Sequence, residues 1–386
     1  MAHPTRRRKK EKKIPEHHRR RVLEYKKHQE KVSDREKGVV GKKIHPKYVV
    51  IILLGIVIFS LFVRVYFSLE IGTEEDGFRM TGGSDPYYHK HVVNYVLREH
   101  KHLEFDELLN YPLGGENPRP PLFDWLMAVG GLLLAPLFGG DYQTSTWWVV
   151  QLLPPFFGAL AIFPVYYITK DALGQKYGLF AAFLFGAMPG AISHSTLGLT
   201  DHDSYILFFV ITSIYFYQRS LGFLKTKNYI TDWFSPRDIK NGINSFVKSN
   251  TVALGYAMLS GFSILAVALA WKGFPYVMVI IFVYFLYQSL ISRFKREDTL
   301  GLSLITLLTL SIPLFFSAPY YFTVVSPNWW TSPFYVFFAV VVLSYILVPT
   351  RDIPWVVVLG GFITLVVGVL LIVKFVLVSF WERVSG

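Results

Sequence analysis

Apolar residues gather in ten long runs along the 386-residue chain, at 48–68, 121–138, 144–169, 177–197, 203–219, 251–270, 275–291, 300–317, 333–348 and 355–380. Several reach or approach the roughly 20 residues that carry a helix across a bilayer. Two sizeable polar stretches, 70–120 and 220–250, separate them. There is no internal repeat, and the only biased segment is a basic N-terminal tail. The pattern predicts an all-α polytopic membrane protein.

Composition excludes the soluble alternative. The chain is 52% hydrophobic and 17% aromatic, with a mean hydropathy of +0.36. Its net charge of +12 sits in one place. Residues 1–47 hold 18 Lys and Arg against 6 Asp and Glu, whereas the remainder holds 21 of each and is neutral. Runs such as "RRRKKEKK" suit nucleic acid, but beside a membrane domain they read better as a cytoplasmic tail near anionic headgroups. No nucleic-acid partner is expected. The first apolar run begins only at Tyr48 and is long enough to span, so it does not read as a cleavable signal. The absence of cysteine excludes disulfides, thiolate zinc sites and a cysteine nucleophile.

Charge also sets the topology. With the tail inside, 48–68 exits and the loop that follows is external. If 121–138 spanned, the basic loops at Lys170 and Lys176, at 220–250 and at "SRFKRED" would all fall outside. If 121–138 is instead a helix of the external loop, all three fall inside. Its Pro-rich start, "NPRPPLFDW", fits a helix entry. The expectation is nine spans, with external connections at 70–143, 198–202, 271–274 and 318–332. Asp85 then shares a face with Asp201 and Asp203.

That face carries the candidate chemistry. In "GGSDPYYHKH", Gly82 and Gly83 permit a tight turn and Pro86 fixes the direction after Asp85. In "TDHDS", alternate carboxylates can meet one ion, and oxygen ligands of this kind suit Mg²⁺ or Mn²⁺. The competing reading makes Asp201 the cap of a helix starting near Asp203. His194 lies about two helical turns before Asp201 and either faces the site or packs at the interface. Arg119 is either a phosphate contact or an exposed loop cation. His89 and His91 read as exposed loop histidines. Arg64 and Lys374, inside apolar runs but near their external ends, read as snorkelling side chains. Trp271 and Lys272 mark a tight external turn.

These features in this order resemble the catalytic subunit of oligosaccharyltransferase, called STT3 in eukaryotes and AglB in archaea, with PglB as bacterial relative. The matching strings are Gly83-Ser84-Asp85-Pro86-Tyr87-Tyr88-His89 after the first span, "YPLGGENPRPPLFDW" in the long first loop, "AMPGAISHSTLGLTDHDS", and "WKGFPY", which is similar to the family's W-G-G-Y turn. The archaeal branch is the nearest in character. The resemblance implies a GT-C type transmembrane domain over 48–386. It implies transfer of an oligosaccharide from a lipid phosphate or pyrophosphate to the Asn of Asn-x-Ser/Thr. It also implies Mn²⁺ or Mg²⁺ held by Asp85, Asp201 and Asp203 as catalytic residues, with Arg119 and His194 as candidate phosphate contacts. Expected partners are the lipid-linked donor, an acceptor polypeptide and membrane lipids.

The family continues into a fifth external loop with a T-I-x-E glutamate and a globular domain with W-W-D-Y-G. "SPNWWTSP" does not match the latter, so the C-terminal domain reads as absent here. The expectation is an incomplete enzyme, inactive or nearly so alone: a split gene product whose missing half is a separate chain, a truncated one, or a non-catalytic paralogue. Two alternatives stay open: a non-catalytic donor-binding or partner subunit, and another lipid-phosphate-sugar glycosyltransferase such as a protein O-mannosyltransferase. A transporter is disfavoured by the lack of a repeat and of midplane charge.

Overall fold

The computed structural model describes residues 44–69, 80–295, 297–324, 328–350, 353–357, 360, 361, 363 and 364. The basic tail up to residue 43, "GTEEDG", Lys374 and "WERVSG" lie outside the described residues, as does most of the 355–380 run.

The first span, α1, is Pro46–Tyr66, entered through a His45 cap and a proline at its first turn. The 70–120 stretch is not plain loop. It holds α2, Asp85–Glu99, and a two-stranded antiparallel ribbon of β1, Phe105–Asp106, and β2, Gly115–Glu116. Next come α3, Leu122–Leu134, with a 3₁₀ turn at Ala135–Phe138; α4, Tyr142–Leu160; and α5, Ile162–Leu173. Asp141 caps α4 by accepting from the backbone N–H groups of Gln143 and Thr144. Then follow α6, Gln175–Ala187; a single turn, α7, Pro189–Ser193; α8, Asp203–Gly222; and α9, Pro236–Ser249. The last four are α10, Thr251–Ala268; α11, Pro275–Phe294; α12, Leu300–Thr323; and α13, Asn328–Leu347.

Six helices among the described residues are long and apolar enough to cross a membrane: α1, α4 with α5 as one span, α10, α11, α12 and α13. The α3 segment falls among the shorter apolar helices. At 13 residues it measures about 20 Å, short of the roughly 30 Å hydrocarbon core. It folds back on the start of α4: Ser145 Oγ donates to the Gly131 carbonyl at 2.6 Å, and a Cβ on Gly131 would fall 2.0 Å from Thr146 Oγ1.

The expected run 177–197 is not one helix. Its helical part, α6, stops at Ala187, because Met188 precedes Pro189 and is held extended. The chain from His194 to His202 then forms a non-helical connection lying against the ends of other elements. Leu197 N–H donates to the Arg64 carbonyl at 3.0 Å, Thr81 N–H to Gly198 O at 3.0 Å, and Thr200 Oγ1 to Val150 O at 2.8 Å. These bonds bring the end of α1, the entry to α2 and the entry to α8 to one face. Leu122 N–H donates to Leu269 O at 2.8 Å, which adds the start of α3 and the end of α10 to it.

Arg64 does not snorkel. It is fully buried, donates from Nε to Ser195 Oγ at 2.8 Å and from Nη1 to the Gly186 carbonyl at 3.0 Å, and reaches Ser60 through its backbone and hydroxyl oxygens. A guanidinium taken out of water needs such partners, and they tie the first span to the break after α6. Gly158 of α4 makes room for it, since a Cβ there would lie 2.7 Å from both Arg64 Nε and Ser195 Cβ. Gly158→Ala is therefore expected to destabilise the fold by about 1–3 kcal/mol. Thermal unfolding in detergent checks this against Gly255→Ala, whose added methyl meets nothing within 4 Å. Equal unfolding temperatures for the two variants would contradict the role given to Gly158.

Candidate functional site

The shared face is organised around Asp201. Its Oδ1 accepts from the His202 backbone N–H at 2.7 Å and lies 2.7 Å from His202 Nδ1 and 3.7 Å from His89 Nε2. His89 Nε2 and His202 Nδ1 are 3.4 Å apart. One ligand atom from each of His89, Asp201 and His202 lies within 4.8 Å of the others, the one such metal-ligand group among the described residues.

A fourth residue orients the group. His89, 1% exposed, sits one turn into α2, and its Nδ1 meets Asp124 Oδ1 at 2.6 Å. Asp124, on the first turn of α3, is wholly buried, and its Oδ2 has no partner among the described residues. A carboxylate only accepts, so Nδ1 carries the proton and Nε2 is the atom turned toward Asp201. Phe123 and His202 pack their ring edges against the imidazole.

Charge follows from this packing. Burial opposes a charged His89, but the Asp124 carboxylate beside it outweighs that cost and raises the imidazole's pKa. Burial would likewise raise Asp201, yet the contacts from the His202 side chain and backbone N–H, with His89 nearby, hold it well below the usual carboxylate range. Two carboxylates, Asp124 and Asp201, thus face one His89 imidazole. Two imidazoles and a carboxylate suit a divalent transition-metal ion, and Asp124 supplies the outer hydrogen bond that such histidines commonly carry.

Near this group lie one ion pair and one histidine–carboxylate contact. Arg119 Nη2 meets Asp85 Oδ1 at 2.7 Å, with its guanidinium carbon 4.8 Å from the centre of the Tyr88 ring. Asn117 positions that loop by accepting from Arg119 N–H at 3.0 Å and donating to the Leu103 carbonyl at 2.9 Å. Burial, with Asp106 nearby, pushes the Tyr88 phenol up to about 12. His194 Nδ1 meets Asp203 Oδ2 at 2.8 Å, with both side chains open to solvent. Arg119 is not an exposed loop cation: its side chain is only 13% exposed.

With this geometry established, comparison with known proteins becomes informative. The family profile described as oligosaccharyl transferase STT3, N-terminal, matches residues 53–385. The chain belongs to the STT3 family. Among similar proteins, dolichyl-phosphooligosaccharide-protein glycotransferase 2 of Archaeoglobus fulgidus is 30% identical over 207 residues, 53% of this chain and 28% of the relative. The STT3A subunit of Oryza sativa is 23% identical over 250 residues, 64% of this chain and 27% of the relative. The chain thus spans less than a third of the length of these relatives. Solved structures of the Archaeoglobus fulgidus oligosaccharyltransferase share the fold. One, tethered to an acceptor peptide containing the NVT sequon, gives a TM-score of 0.69 at 19% identity, covering 86% of this chain and 38% of that one. Another, complexed with Zn and sulfate, gives 0.66 at 19% identity, covering 84% and 40%.

The STT3 resemblance implied three aspartates around one ion. The structure brings Asp85, Asp201 and Asp203 to one face, but only Asp201 belongs to the ligand group. Asp85 and Asp203 lie outside it, paired with Arg119 and His194 respectively. His89, expected as an exposed loop histidine, is buried at the centre, and neither His202 nor Asp124 was singled out from sequence. Two signals were available: a lone carboxylate in the apolar 121–138 run, and the four-residue spacing of Asp85 and His89, which one helix turn places on the same side.

Asp124→Asn is expected to weaken Mn²⁺ or Zn²⁺ binding about 10- to 100-fold, because a neutral amide can donate to Nδ1 as well as accept from it and so no longer fixes the His89 tautomer. Equilibrium dialysis of the purified chain measures this, and unchanged affinity would contradict the orienting role.

Proposed function

We propose that this chain is the donor-side membrane part of an oligosaccharyltransferase. In this reading it acts in transfer of an oligosaccharide from a lipid phosphate or pyrophosphate to the Asn of Asn-x-Ser/Thr. The observation that carries the proposal is the Asp124–His89–Asp201–His202 chain of contacts, with the Arg119–Asp85 ion pair and the His194–Asp203 contact on the same face.

His89, Asp201 and His202 would hold the metal, with Mn²⁺ a better match than Mg²⁺ for a donor set containing imidazole. When bound, it neutralises charge developing on the leaving phosphate. Arg119 and His194 flank that position as contacts for the phosphate oxygens. Engaging them would release Asp85 and Asp203 from their present pairs. Asp85, half exposed, would then offer its carboxylate to the acceptor amide N–H. An amide nitrogen is a poor nucleophile while conjugated with its carbonyl, and a carboxylate engaging its N–H favours the twisted form. The site would face outward, with the basic tail in the cytoplasm, in keeping with the 18 Lys and Arg of residues 1–47.

The test is donor binding. In lipid nanodiscs with Mn²⁺, the chain is expected to bind a polyprenyl-phosphate-linked oligosaccharide. Affinity should fall at least about tenfold on chelation or in Asp201→Ala. Arg219→Gln, at the opposite end of α8 beside Asp171, should leave binding unchanged. Binding indifferent to both metal and Asp201 would contradict the proposal.

A further inference from the structure

A second recess lies beside the site, on the flank of α2 that turns away from Asp201. It is a cleft of about 360 Å³ between α2 and the start of α4, its lining including Lys90, Asn94, Arg98, Tyr142, Gln143 and Trp147. Lys90, Asn94 and Arg98 recur every four residues, so they form one stripe along the helix. The stripe starts next to His89 and runs about 13 Å away from it, at 1.5 Å per residue.

The decisive residue is Lys90. It is 8% exposed, and its Nζ donates to Asn94 Oδ1 at 2.7 Å and lies 4.2 Å from the centre of the Trp147 ring. Among the described residues no carboxylate lies within ion-pair distance of it; Glu99, the acid near this stripe, is taken by Arg98 at 2.6 Å. An ammonium withdrawn from water with only a neutral amide and a ring as partners is costly to bury. Nothing in the fold described above needs it there: a methionine would fill the same space without that cost. What a cation does here, and an apolar side chain does not, is meet an anion.

The rest of the lining narrows the anion. Tyr142, 44% exposed, offers a flat aromatic face beside the Lys90-covered ring of Trp147, and Asn94 and Gln143 offer amides that both donate and accept. Flat apolar faces beside amides match a pyranose ring, whose faces are apolar and whose rim is hydroxylated. A phosphate alone would use neither the rings nor the amide acceptors. We propose that this cleft binds an acidic sugar, a hexuronate unit, with Lys90 on the carboxylate and the Tyr142 ring against the sugar face. Resting on the function proposed above, this makes the cleft a subsite for an acidic residue of the donor glycan, which would extend from the phosphate along α2.

Saturation-transfer NMR on the full chain in detergent tests it with three soluble probes: methyl glucuronide, methyl glucoside and glucose 6-sulfate. Methyl glucuronide is expected to bind at least about tenfold more tightly than the glucoside. Lys90→Met should remove that difference while leaving thermal unfolding no lower than in the parent chain, and Gln143→Ala should weaken both neutral and acidic sugars. Binding should persist with chelator present and in Asp201→Ala, which separates failure of this proposal from failure of the donor reading. Equal affinity for glucuronide and glucoside, glucuronide binding unaffected by Lys90→Met, or loss of binding in Asp201→Ala would each overturn the assignment. Tighter binding of the 6-sulfate than of the glucuronide would overturn the choice of a carboxylate.

Discussion

The site depends on one buried carboxylate. Asp124 enters an apolar helix with no exposure to water, and its hydrogen-bond partner is a single imidazole nitrogen of His89. A charge in that position is tolerable only when paired. The pairing has a directional consequence, because it fixes which nitrogen of His89 is protonated and turns the other toward Asp201. His202 approaches from the opposite side through the same Asp201 oxygen. The arrangement of His89 and Asp201 therefore follows from the needs of a buried acid.

Such a site requires segments far apart in sequence to meet at one level, and the backbone achieves this with few bonds. Pro189 ends α6 early and frees the following residues to run across the helix ends. That connection bonds to the last turn of α1 at Leu197 and to the entry of α2 at Gly198. Gly82 is needed at the same crossing: its φ is +89°, and a Cβ there would fall 1.9 Å from Leu199 Cδ1. Arg64, buried in the first span, bonds to Ser195 and to the Gly186 carbonyl on either side of the break. A positively charged side chain thus serves as a structural tie within the membrane domain, which fits the general rule that intramembrane cations are paired.

Much of this was legible in the sequence. The apolar runs placed the long helices to within a few residues, and charge asymmetry brought Asp85 and Asp201 to one face. The motif around "GSDPYYH" and "TDHDS" pointed to the family before any geometry was known. What was not legible shares a physical origin: it depends on tertiary burial. Arg64 near a helix end looks the same whether it snorkels or folds inward. His89 in a polar stretch looks like a loop residue until that stretch coils into α2 and packs against α3. Asp124 looked like part of a helix entry, because its partner lies 35 residues earlier in the chain. The 177–197 run kept its hydrophobicity across Pro189, so composition hid a break that the proline geometry demanded.

The central claim is that the ion-binding group is His89, Asp201 and His202, oriented by Asp124. X-ray absorption spectroscopy at the metal edge of the Mn²⁺- or Zn²⁺-loaded chain tests it most directly. The account predicts a mixed nitrogen and oxygen first shell with the outer-shell scattering characteristic of coordinated imidazole, lost in part in His89→Ala. An all-oxygen shell without imidazole scattering, unchanged in that variant, would contradict it and return the site to the aspartates alone.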